Sequence, residues 1–278
     1  LRRWAAAALA VLLAACAGAP LKPASPARAR LAEAESRAAG LVRNGDYAAA
    51  ARSYGEALRI ATSLEDADAI AGNAINLSIV EQWLGHDAEA GAALAPVLEA
   101  PGTRFPELRV VQAELRRAIL DLAAGNADAA ARWAGEAERR CAAIGCSYGA
   151  TILNVRAQLA LQGGRAAEAA ELAQMAADRS RGESGRAENA NALRMLGRAR
   201  AALGQYAAAL EPLQQALEID RALADPRKIV ADLAELARVS ASAGDAQAAR
   251  GYEERRVAVR RAMSEAKSPA EMEVLLRR

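Results

Sequence analysis

Six glycines stand at nearly equal intervals along this 278-residue chain: Gly45, Gly85, Gly125, Gly164, Gly204 and Gly244, with spacings of 40, 40, 39, 40 and 40. A fixed period of that length is the mark of stacked supersecondary units, each too small to bury its own apolar face. The residues around each glycine identify the unit. Every one of them ends an apolar, helix-like segment and opens another, as in Asn44-Gly45-Asp46-Tyr47, Leu203-Gly204-Gln205-Tyr206 and Ala243-Gly244-Asp245. Glycine can adopt the left-handed conformation that satisfies the last carbonyls of a helix. An Asp or Asn just after it can accept hydrogen bonds from the free N–H groups of the next helix. Each repeat is therefore predicted to be a helix–turn–helix hairpin.

Two further columns fix the register. Five residues after each glycine stand Ala50, Ala90, Ala130, Ala169, Ala209 and Ala249; seven before stand Ala38, Ser78, Ala118, Ala157, Gly197 and Ala237. Small side chains on both sides of a turn are what two antiparallel helices need where their backbones approach most closely. Composition agrees: 53% of residues are hydrophobic but only 3% aromatic, so alanine and leucine, both strong helix formers, dominate and strand formers are sparse. An all-α chain is expected. Its helices are predicted near 30–44 and 46–62, 66–84 and 86–99, 105–124 and 126–142, 147–162 and 165–180, 186–203 and 205–223, and 226–243 and 245–262. Breakers separate these pairs, among them Pro101-Gly102, Gly145, Gly182 and Asp225-Pro226.

The pattern resembles the tetratricopeptide repeat, which carries a small residue in its first helix, Gly-x-Tyr at the turn and alanines in its second helix. The fifth unit matches through Leu193, Leu196-Gly197, Gly204-Gln205-Tyr206, Ala209, Leu213 and Ala216, and the first through Gly45-Asp46-Tyr47, Ala50, Tyr54 and Ala57-Leu58. The other units are more degenerate. Because the period exceeds the ~34 residues usual for the family, the array looks like the longer-helix subclass seen in kinesin light chains and some bacterial regulators. The resemblance implies a right-handed α-solenoid of about six repeats over 30–262. It also implies that the first helices line a concave, protein-binding face.

The ends carry other signals. Arg2 and Arg3 precede an apolar run from Trp4 to Ala15, too short for the ~20 residues of a membrane span, and the run closes on Leu13-Ala14-Ala15-Cys16. This resembles the lipobox of bacterial lipoproteins, which implies a signal peptide over 1–15 and lipidation of Cys16. Ala17 and Gly18, in place of an aspartate, favour a periplasm-facing position on the outer membrane. Pro20, Pro23 and Pro26 make 16–29 read as an extended tether. In 263–278, Ser268-Pro269-Ala270-Glu271 opens a short segment with Met272, Leu275 and Leu276 on one face, suited to capping the last repeat. The formal charge of +2 falls to zero once Arg2 and Arg3 leave with the signal, so no basic field recruits nucleic acid.

Chemistry is sparse. With Cys16 assigned to lipid, Cys141 and Cys146 remain as a possible disulfide or two free thiols. A zinc site would need about four ligands, and the single histidine, His86, lies far away in sequence in an expected turn. No nucleophile–base pair, phosphate-binding glycine loop, metal or cofactor site is evident, and the chain reads as a non-enzyme. By similarity to the family's groove positions, the candidates for binding a protein or peptide partner are Gln82, Asn154, Gln158, Asn191, Arg194, Arg198 and Arg238. Asn191, Arg194 and Arg198 share one helix face. The expected function is a lipid-anchored scaffold serving an envelope, pilus or cell-wall machine; the alternative is a groove that takes a peptide, glycan or small solute. Trp83 and Trp133 are expected to pack between repeats.

Overall fold

The structure, a computed structural model, describes residues 25–99 and 105–265. The expected signal peptide, Cys16 and the capping segment around Met272 lie outside the described residues. The described chain is helical, with no strand among those residues: α1 (Pro26–Arg43), α2 (Tyr47–Ser63), α3 (Ala67–Leu84), α4 (Asp87–Ala92), α5 (Ala95–Leu98), α6 (Glu107–Ala123), α7 (Ala127–Ile144), α8 (Gly149–Gln162), α9 (Ala166–Arg179), α10 (Arg186–Ala202), α11 (Tyr206–Ala222), α12 (Pro226–Ser242) and α13 (Ala246–Glu265). They form six hairpins. The first, or A, helices are α1, α3, α6, α8, α10 and α12.

Each A helix stops in the same way. The six periodic glycines all have positive φ, between 74° and 87°. In the first hairpin Gly45 N–H donates to Val42 O at 3.1 Å and Asp46 N–H to Leu41 O at 3.0 Å. This pair of bonds is the Schellman arrangement that closes a helix, and it recurs at all six turns. Asp46 and Asp245 then cap the following helices by accepting from Ala49 N–H (3.0 Å) and Ala248 N–H (2.9 Å). Asn126 does not cap through its side chain.

The small-residue columns meet inside the hairpins. Ala38, Ser78, Ala118, Ala157, Ala50, Ala90, Ala130 and Ala209 are fully buried. At Gly197 the fit is tightest: an added Cβ would lie 2.5 Å from Leu213 Cγ and 3.0 Å from Ala209 O. In the sixth hairpin Ala237 and Ala249 are only half-buried, because no described repeat follows to cover them. The core is a series of apolar clusters. Leu153, Ala157, Leu172 and Leu196 join the fourth and fifth hairpins, and Leu213, Leu217, Leu233 and Leu236 the fifth and sixth. Every unit is thus completed by its neighbour.

Departures from expectation have local causes. The helix expected over 86–99 is broken into α4 and α5 because Pro96, at the start of α5, has no N–H to continue the ladder. Pro212, by contrast, sits within α11. The carbonyl of Ala208, which it cannot serve, accepts instead from Arg200 Nη1 at 3.0 Å. Of the tether expected over 16–29, residues 26–29 are helical instead, Ser25 capping α1 and Pro26 occupying its first turn, a position where a missing N–H costs nothing; residues 16–24 lie outside the described residues. Two of the connections from hairpin to hairpin, first to second and fifth to sixth, use the same Schellman closure with non-glycine residues in the left-handed region, Glu65 (φ 51°) and Ala224 (φ 54°).

Cys141 and Cys146 form a disulfide with Cα atoms 4.9 Å apart. Cys146 N–H donates to Cys141 O across Gly145 (φ 64°), so the two cysteines occupy the positions where a Schellman turn ordinarily carries an apolar contact.

Urea unfolding checks the seam and the turns. Gly197→Ala is expected to lose ~1–3 kcal/mol through overpacking. Ala224→Gly is expected to gain about 0.5–1 kcal/mol, relief of left-handed strain outweighing the added entropy of the unfolded chain.

Candidate functional site

From α3 onward consecutive A helices touch one another directly, whereas among the described residues no two consecutive second helices approach as closely. The A helices therefore form the inner layer of the curve. A hollow of about 540 Å³ opens on this layer near its start, lined by Arg28, Glu35, Asp68, Gly72, Asn76 and Arg109 among others.

Polar side chains tie each A helix to the next. Asn73 Nδ2 donates to Glu35 Oε1 at 2.7 Å, and Arg109 grips Asp68 through Nε (2.7 Å) and Nη2 (3.0 Å). Gln112 meets the Tyr148 hydroxyl. Arg116, buried, donates to Ser78 Oγ (3.0 Å) and Ser78 O (2.8 Å); burial brings its pKa down to about 10, Asp87 pulling the other way. The small residue of the second unit thus doubles as a hydrogen-bond acceptor.

This ladder uses some of the residues expected to face a partner. Asn154 is 8% exposed and donates through Nδ2 to Glu188 O (3.1 Å) and Oε2 (2.9 Å), while its Oδ1 is buried without a donor. Arg194 corrects the sequence reading outright. It is buried, with Nε on Asp232, Nη2 on Asp220 and Nη1 on Asn191 Oδ1, so all three of its nitrogens are engaged inside the fold rather than presented to a partner. Asn191 Oδ1 also accepts from Lys228 Nζ at 2.7 Å. Arg198 reaches Glu235 at 3.2 Å, and the exposed Arg238 grips the same carboxylate at 2.8 and 3.0 Å. Gln82 and Gln158 are half-buried, and neither side-chain amide hydrogen-bonds to any described residue. His86 is exposed and pairs with Glu81 at 2.8 Å. Among the described residues no group of three His, Cys, Asp or Glu could hold a metal ion, and no helix is long and apolar enough to cross a membrane.

The sequence reading missed Glu188, Asp220, Lys228 and Asp232, which with Arg194 and Asn191 form a largely buried polar cluster across the fifth and sixth hairpins. One signal was available: Glu35 and Asn73, Ser78 and Arg116, Arg194 and Asp232 are each 38 residues apart, slightly less than one repeat.

The cluster's electrostatics are dominated by burial. Asp220 is pushed up to about 7 by desolvation, Arg194 pulling it down and the carboxyl of Asp232 pushing it up. Asp232 is raised mainly by desolvation. Desolvation and then Arg194 lower Lys228. Asp232 Oδ2 is buried without a hydrogen-bond donor, in keeping with the raised pKa of this carboxyl. Between the ordinary carboxyl range near pH 4 and about pH 7, the folded chain keeps a proton that the unfolded chain has released, so the contribution of Asp220 to stability falls as pH rises. Denaturant midpoints should drop from pH 5 to pH 8 in the wild type, and the drop should shrink in Asp220→Asn. An equal drop in both would contradict the assignment.

Residues 148–222 match the tetratricopeptide repeat family. Among solved structures, BtubC (BKLC) from P. vanneervenii is 22% identical with a TM-score of 0.56, over 87% of this chain and 93% of that one. A Rap protein complexed with Competence and Sporulation Factor is 17% identical with a TM-score of 0.61, over 86% and 67%. PilF of Pseudomonas aeruginosa is 12% identical with a TM-score of 0.51, over 82% and 90%. The Rap conjugation gene regulator of plasmid pLS20, in complex with the Phr* peptide, is 14% identical with a TM-score of 0.57, over 85% and 76%. No curated protein sequence matches the chain. Residues 148–222 carry the tetratricopeptide-repeat pattern, and the hairpins on either side continue the same helix–turn–helix α-solenoid fold.

Proposed function

We propose that this chain is a lipid-anchored, periplasm-facing adaptor of the bacterial outer membrane, holding an extended segment of a protein partner along its A-helix face within an envelope, pilus or cell-wall assembly. The observation that carries the reading is the set of unspent amides on that face. The side-chain amides of Gln82 and Gln158 make no hydrogen bond to a described residue, and that of Asn191 is held only through its oxygen, by Lys228 and Arg194. An amide offers donors and an acceptor together, the combination an extended backbone needs at successive peptide groups. The pLS20 Rap regulator, similar in fold, is seen with a peptide, which supports a peptide-like occupant. The anchor rests on Leu13-Ala14-Ala15-Cys16; acyl chains on that cysteine would add ~0.8 kcal/mol per buried methylene.

Two measurements test the reading. A photo-crosslinking residue at Gln158 should capture a discrete protein in cells, while one at Ala131, exposed on the outer layer, should not. The Gln158→Ala/Asn191→Ala double variant should bind the captured protein about tenfold or more weakly, as expected for two or more lost hydrogen bonds of ~1 kcal/mol each. Equal capture at both positions would contradict the binding face. Cys16→Ser should move the protein from the membrane to the soluble fraction, and a variant still in the membrane would contradict the anchor.

A further inference from the structure

One contact joins parts of the solenoid that are far apart in sequence. Tyr47 opens α2 in the first hairpin and Trp83 closes α3 in the second; their rings meet edge to face, with centroids 5.3 Å apart and planes at 67°. Arg227, in the first turn of α12 in the sixth hairpin, places its guanidinium carbon 4.0 Å from the Tyr47 ring centroid and 4.3 Å from that of Trp83. Both distances are well inside the ~6 Å over which a cation is drawn to a ring face, and the weakly hydrated guanidinium plane suits stacking. The hydrogen bonds and ion pairs of the A-helix ladder link consecutive hairpins only. A repeat array has no inherent reason for its ends to meet, so this stack marks one superhelical turn closed on itself.

We propose that Arg227, Tyr47 and Trp83 form a latch that holds the solenoid closed over its A-helix face and that releases when an extended partner segment enters. This proposal rests on the reading of that face as the partner site. Each side of the latch adjoins residues of the proposed site. Gln82 precedes Trp83, and Lys228, which holds Asn191, follows Arg227. Trp83 is 40% exposed, so the contact can part without opening a core. It can therefore break and re-form while the seams within the hairpins stay intact, and entry of a segment between the two ends displaces a single side chain.

The test needs no partner, so its outcome is independent of whether the A-helix face binds one. Fluorescent labels introduced at Arg52 and Arg250, both exposed and on the first and last hairpins, report the distance between the ends of the full chain. The wild type should give one narrow, short distance. Arg227→Ala and Trp83→Ala should each shift the mean to longer distance and broaden it with no change in melting temperature, and Arg227→Lys should fall between. Should Arg227→Ala perturb the helical circular dichroism, Arg227→Gln carries the same test. A distance distribution unchanged in both the Arg227 and Trp83 variants would overturn the latch and leave curvature to the stacking of neighbours alone.

Discussion

The close approach of two antiparallel backbones at a pair of small residues sets the geometry of everything else in this chain. Where Ala38 faces the turn that carries Ala50, or Gly197 lies under Ala209 and Leu213, a single methyl group is the margin between contact and clash. Helices packed that tightly have one register, which the left-handed glycine at each turn enforces by ending the first helix at a fixed distance from the seam. With the register set inside each hairpin, leucines such as Leu153, Leu196 and Leu236 are turned toward a neighbouring hairpin, and stacking follows.

The inner layer carries two burdens. Its polar residues hold successive A helices together, and they are also the groups through which a partner would be held. The structure divides them: Arg194, Asn154 and Arg116 are spent internally, while Gln82, Gln158 and part of Asn191 are not. Burying Arg194 with two carboxylates gives little net stability, since desolvation of such ions offsets most of their attraction. What the cluster provides is a fixed relation between the fifth and sixth hairpins, because shifting α12 along α10 would leave a buried charge unpaired. The raised Asp220 is the electrostatic trace of that arrangement.

The repeat was legible in the sequence because glycine and alanine act through backbone geometry, which a fixed period exposes directly. The six turns and most helix limits follow from it. Other features were hidden for identifiable reasons. Glu65 and Ala224 occupy left-handed turns that their side chains do not favour, so nothing in their identity marks the turn. The break at Pro96 was visible as a residue but masked by the even period around it. The role of Arg194 depended on Asp220 and Asp232, 26 and 38 residues away, and a helix-face reading of Asn191, Arg194 and Arg198 cannot tell a groove from a seam between helices. Arg227 over Tyr47 and Trp83 depends on the superhelical turn itself, which no local pattern encodes.

Hydrogen exchange of the backbone amides, read helix by helix, tests most directly the claim that each hairpin is completed by its neighbour. The account predicts strongest protection in α6, α8 and α10, whose small-residue seams are fully covered, and markedly faster exchange in α13, whose Ala249 is only half-buried. Uniform protection from α1 to α13, lost in one cooperative step, would contradict it.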